Sequence, residues 1–170
     1  FVACLELATN LIKRDKIMST ENRNQKDTSN ELYTLLCAGF PGVGKSHFYN
    51  HSKLKVLDSD SSKFDKAFFP QNYIDHIKAN LGKVDIILIS SHDVVRDALV
   101  KEGLDFTLVY PNIDLKDEYI ERYKQRGSNE GFIKLVSDNW TEWITQLQNQ
   151  NGCKKIELSA GQYLSDVIAC

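Results

Sequence analysis

Residues 32–38 form a near-continuous apolar run, the pattern of a strand buried on both faces of a parallel sheet. Apolar runs at residues 54–57, 84–89, 106–110 and 155–158 predict four more strands. Helical spacing predicts helices from Lys45 to about His51 and over residues 72–80, 93–102 and 115–125. One or two more fall within residues 129–148, and a last short one follows the fifth strand. Gly82, Gly103 and Gly127 stand where three of these helices should end, and Pro111 where the fourth strand should stop. Strands alternating with helices predict an α/β protein with a doubly wound, mainly parallel five-stranded sheet.

The polar positions set the outer limits. Residues 19–30 are almost wholly polar, so residues 1–30 are expected to form a flexible arm and residues 31–170 the folded domain. Met18 is the sole methionine, which makes it a candidate natural start. The 42% hydrophobic and 26% charged residues among 170 suit one soluble domain with a real core. A net charge of −2 supplies no general basic field for nucleic acid. Cys4, Cys37, Cys153 and Cys170 are scattered without metal-ligand spacing, so neither a disulfide framework nor a zinc site is expected, and a reducing, cytoplasmic setting is. No apolar run approaches the roughly 18–20 residues of a membrane span, so no membrane partner is expected.

One motif carries strong chemistry. Gly39-Phe40-Pro41-Gly42-Val43-Gly44-Lys45-Ser46 satisfies G-x-x-x-x-G-K-[S/T] between a predicted buried strand and a predicted helix. The glycines let successive N–H groups turn toward phosphate oxygens, and the helix N-terminus adds its positive end. Lys45 is expected to reach the β- and γ-phosphates and Ser46 to ligand Mg²⁺, with the nucleotide held by residues 39–47, His47 included.

The remaining residues narrow the class. Neither D-x-x-G nor N-K-x-D occurs, which removes the switch GTPases. The apolar strand Ile86-Ile87-Leu88-Ile89 ends in Ser90-Ser91-His92 and not in an acid, unlike motor-type ATPases. A small-substrate kinase remains. Asp58-Ser59-Asp60 should end the second strand, where ligands of doubly wound sheets gather. Asp58 is a candidate metal and substrate ligand; Asp60 is the candidate to orient an acceptor hydroxyl and take its proton. The alternative is that both simply cap the next turn. Arg122 and Arg126 share a helix face before Gly127-Ser128-Asn129-Glu130-Gly131, read as a hinge into a small helical lid. There they could close over the transferring phosphoryl, or pair with Glu118 and Glu121 on an exposed face. Arg96 could hold an acceptor phosphate or cap its own helix. His92 is a phosphate ligand or a polar cap. Phe64, Phe68, Phe69 and Tyr73 line an acceptor pocket or belong to the core, and Trp140 and Trp143 belong to the core.

With these residues in view, the domain from about Leu32 to Ile168 resembles the small P-loop kinases of the nucleoside, nucleotide and shikimate kinase group. Asp58-Ser59-Asp60 looks like the Asp-x-Asp that small-metabolite kinases place after their second strand. Tyr110-Pro111, Leu115 to Tyr119, Arg122 to Ser128 and Asn139-Trp140 are similar to kinase-like proteins found in phages, some of which phosphorylate hydroxymethylated pyrimidines in DNA. The resemblance implies a P-loop NTPase fold, ATP, Mg²⁺, a lid and, for a phage protein, the host cytoplasm. It implies a small-molecule or nucleic-acid-end acceptor and a monomer or homodimer. The chain departs from the group in the short interval of 13 positions from Lys45 to Asp58 and in lacking an Asp-Gly-hydrophobic-Pro-Arg segment.

Overall fold

The computed structural model describes residues 33–168. The polar arm, the Met18 start, Cys4 and Cys170 lie outside them. Five strands, β1 (Leu35–Gly39), β2 (Val56–Asp58), β3 (Ile86–Ser90), β4 (Thr107–Pro111) and β5 (Lys154–Leu158), form one sheet in the order β2-β3-β1-β4-β5. Every pairing is parallel. Among the described residues six α-helices make the crossovers and follow β5: α1 (Lys45–His51), α2 (Gln71–Asn80), α3 (Asp93–Lys101), α4 (Lys116–Gln125), α5 (Glu130–Asn149) and α6 (Leu164–Val167).

Burial along the strands shows that both faces are covered. Leu36, Cys37 and Ala38 are consecutive and all buried, as are Ile86, Ile87, Leu88 and Ile89. Successive strand residues point to opposite faces, so the central strands are roofed on both sides, as a doubly wound sheet requires. Val95 and Leu99 of α3 and Tyr73, Ile74 and Ile77 of α2 join this core, as do Val136, Trp140, Ile144 and Leu147 of α5. The outer strands are less protected: β2 is half-buried throughout, and only Leu158 of β5 is fully buried.

The predicted elements are all present, with shifted ends. β1 begins at Leu35, and β4 runs through Pro111 where the sequence suggested a stop just before it. The region after Asn129 is one 20-residue helix. Two findings correct the expected hinge and lid. Gly127 takes φ 74°, and Asn129 Oδ1 accepts from Phe132 N–H at 2.7 Å, so the segment is a tight, capped turn between α4 and α5. The two helices are part of the body: Tyr119, Tyr123 and Trp140 are almost fully buried, and Trp140 Nε1 donates to the Ile113 carbonyl at 2.7 Å. Aromatic burial on this scale welds the pair to the sheet.

Candidate functional site

The glycine loop leaves the carboxyl end of β1, beside the point where the chain's crossovers switch from β3 on one side to β4 on the other. Phe40 N–H donates to the Val109 carbonyl at 2.9 Å, and Val43 N–H to the Phe40 carbonyl at 3.3 Å, which folds the loop back over the strand ends. Gly42 has φ 84° and Gly44 φ 98°. A Cβ at Gly42 would also stand 2.8 Å from Tyr123 Cε1, so dihedral and space both demand glycine there. Gly44 is the N-cap of α1 and makes no side-chain cap. Among the described residues, no protein group accepts from the N–H of Gly42, Gly44, Lys45 or Ser46. Four backbone donors and a helix N-terminus therefore share one turn.

Lys45 is half-buried, and its Nζ donates to the Gly39 carbonyl and, at 3.4 Å, to the Phe40 carbonyl. Burial pulls its pKa down to about 8, and Arg126 adds to that, while the carboxylates of Asp58 and Asp60 oppose it. Burial pushes Cys37 up to about 12, so it is a neutral thiol beneath the loop. Ser46 and His47 are exposed, with the His47 ring stacked on His51 at 4.1 Å.

The aspartates approach from the edge of the sheet. β3 lies between β1 and β2, so the strand bearing Asp58 is two spacings, about 10 Å, from β1. The register aligns Asp58 with Leu88, and Gly39 with Ser90. Asp60, two residues further, reaches the level at which the glycine loop begins, and its extended backbone keeps it on the same side as Asp58. Asp58 is half-buried, and burial raises its carboxyl pKa against the pull of Lys45. Asp60 is exposed, and Oδ1 accepts from Ser62 N–H at 2.9 Å, which holds its pKa below the usual range. The capping alternative is thus realised at Asp60 through one carboxylate oxygen. Tyr73 sets this corner: its hydroxyl donates to the Ser59 carbonyl at 2.6 Å and accepts from Ser90 N–H at 3.1 Å, tying the ends of β2 and β3 together.

The two arginines of α4 differ. Arg126 is exposed, stacks over Tyr123 and Phe132, and donates through Nε to Ser128 Oγ at 2.7 Å. Among the described residues it has no carboxylate at ion-pair distance. Arg122 is tied to the protein instead. It donates to the Gly42 carbonyl at 3.3 Å and the Gln162 carbonyl at 3.0 Å, pairs with Glu118, and lies over the Tyr119 and Tyr163 rings.

Arg96 is buried, with Nε on the Ser91 carbonyl at 3.0 Å and a terminal nitrogen on Gln150 Oε1. It links the mouth of β3 to the end of α5, and burial lowers its pKa. Phe64 packs edge-on to Tyr73 and His76, partly buried beside the aspartate corner. His92 is exposed and caps α3 through its carbonyl, which accepts from Val95 and Arg96. A groove of about 580 Å³ lies elsewhere, between α4 and α5, lined by Ile120, Lys124, Ile133 and Lys134.

Sequence reading missed four contributors. Tyr119 and Tyr123 floor the loop, and Gln162 and Tyr163 come from the turn after β5. The four-residue spacing of Tyr119 and Tyr123 around Arg122 is the one local signal of that floor. No protein-family model matches the chain, and no curated protein matches its sequence. Among the described residues no helix is long and apolar enough to cross a membrane.

Proposed function

We propose that the protein is an ATP-dependent phosphotransferase of the P-loop kinase type, moving the γ-phosphoryl group to a hydroxyl or phosphate of a nucleoside, nucleotide or nucleic-acid end. The observation that carries the reading is that, among the described residues, the N–H groups of Gly42, Gly44, Lys45 and Ser46 share one turn with no protein acceptor, beside the Lys45 amine. The loop fits a chain of phosphates: left-handed Gly42 and Gly44 present backbone donors, and Lys45 adds a cation. Ser46 and Asp58 are the oxygen donors that would hold Mg²⁺. Two protein ligands suit an ion that keeps most of its waters, and among the described residues there is no cluster of three or more His, Cys, Asp or Glu for a metal that needs one. ATP supplies the activated phosphoryl group. Asp60 orients the acceptor and takes its proton through the oxygen not used in capping. Arg126 offsets the charge that shifts between oxygens.

The test is incubation with labelled ATP, Mg²⁺ and a panel of nucleosides, nucleotides and DNA carrying hydroxymethyl pyrimidines. Label should pass to one acceptor class and require Mg²⁺; slow hydrolysis alone, with no acceptor labelled, sinks the reading. One observation favours a second reading. Asp60 already serves as a cap, as it would in a nucleotide-sensing regulatory protein without transfer. In that case Asp60→Asn leaves every activity unchanged.

A further inference from the structure

We propose that Arg122 and Glu118 are positioning residues that lock the glycine loop to the turn after β5, leaving Arg126 as the arginine available to the transferring phosphoryl. The inference rests on the phosphotransferase reading and reassigns one of its residues. Helical spacing alone makes Arg122 and Arg126 equivalent, since they share a face of α4. Their surroundings make them different.

Arg122 has the environment of a structural bolt. Its side chain is only 11% exposed. One terminal nitrogen donates to Gly42 within the loop, and the other to Gln162 in the distal turn and to Glu118 on its own helix. The guanidinium also lies over two rings, 4.6 Å from the Tyr119 ring centre and 3.9 Å from that of Tyr163. Glu118 completes the circuit, because its Oε1 accepts from Gly161 N–H at 3.0 Å as well. The distal turn then grips the loop directly: Leu164 N–H donates to the Val43 carbonyl at 2.8 Å, and the Tyr163 ring lies against Gly44. Two segments from opposite ends of the described chain are thus joined through one ion pair.

A planar guanidinium suits this position and an ammonium does not. It can be stacked on both faces while its edge donates in fixed directions to carbonyls and a carboxylate. Reaching a phosphoryl group would require Arg122 to leave both rings and three acceptors. Arg126 also lies over two rings, Tyr123 and Phe132, but it is exposed and its one side-chain hydrogen bond among the described residues is to Ser128 Oγ.

Three variants, Arg122→Lys, Glu118→Gln and Arg126→Lys, separate the roles through two readouts. The first is amide hydrogen exchange at Val43, Gly161 and Leu164 in the nucleotide-free protein, which reads the lock whether or not ATP is bound. Arg122→Lys and Glu118→Gln should each speed exchange at Leu164 by about tenfold or more, whereas Arg126→Lys leaves it unchanged. The second is the division between ATP affinity and turnover. The two lock variants should weaken ATP·Mg²⁺ binding by roughly tenfold, and Arg126→Lys should lower kcat with little change in binding. Arg122→Lys with wild-type exchange and affinity but lost transfer overturns the proposal and makes Arg122 a transition-state group. Should Arg122→Lys fail to fold, Glu118→Gln decides between the same two outcomes through a milder change. If wild-type protein transfers no phosphoryl at all, the phosphotransferase reading fails while the exchange experiment still decides the lock.

Discussion

The Tyr123 hydroxyl donates to the Pro41 carbonyl at 2.8 Å, across 82 residues of sequence. The bond fixes the crown of the glycine loop to α4 from below, and Tyr123 is fully buried as it does so. Tyr123→Phe keeps the ring and removes the bond. Stability should fall by about 1 kcal/mol, the net worth of one such bond. ATP affinity should fall several-fold as the loop loses its floor. Urea melts and titration calorimetry read the two effects separately.

Gly42→Ala should be much worse. The new Cβ meets both a left-handed backbone, φ 84°, and the Tyr123 ring at 2.8 Å. The dihedral alone costs about 1–2 kcal/mol, and the displaced ring adds to it. Nucleotide binding should be abolished while circular dichroism shows a folded α/β protein with a lower Tm. Wild-type affinity in Gly42→Ala would show that the loop does not bind in this geometry.

The lowered Lys45 pKa sets a pH window. Its folded-state pKa is about 8, below the unfolded value. Between pH 8 and roughly 10.4 the unfolded chain binds more protons at this position, so its contribution to stability rises with pH. Under the proposed function, phosphate binding should run the opposite way, because it needs the cation. ATP affinity should be flat below pH 8 and weaken by up to about tenfold per pH unit above it. Calorimetry near pH 8 in buffers of different ionisation enthalpy should detect proton uptake on binding. Lys45→Met should remove both the uptake and the slope.

Asp60→Asn tests the acceptor side. Asn caps as well as Asp, so the turn at Ser61–Lys63 should survive and the Tm should barely change. Transfer should fall on the order of a hundredfold, with ATP affinity spared. Steady-state kinetics against the acceptor identified by labelling provides the check.

Much of this architecture was legible in the sequence because its signals are local. Apolar runs marked the five strands, and glycines stood where the helices end. The glycine loop announced itself by spacing alone. The sheet order did not, since periodicity says nothing about which strands pair. The insertion of β3 between β1 and β2 therefore set the Asp58–Asp60 approach from further away than chain order suggested. The segment from Gly127 to Gly131 read as a hinge because a tight capped turn and a flexible linker use the same residues. The partners of Arg122 and Arg96 were hidden for a different reason. Gly42, Gln162 and Gln150 are distant in the chain and carry no pattern that points back to the arginines.

The bond from Leu164 to Val43 has a consequence for how the protein is made. The glycine loop lies near the start of the domain, and the turn that braces it is among the last described parts to leave the ribosome. A nascent chain can form β1 and α1 early, but its loop gains this brace only after β5 has added to the sheet. Competence to hold a ligand is therefore a late event of folding, reached through a contact of high sequence separation. A ligand on the finished loop holds β1 and α6 to a single fate, so its binding should raise the cooperativity of unfolding across the whole sheet.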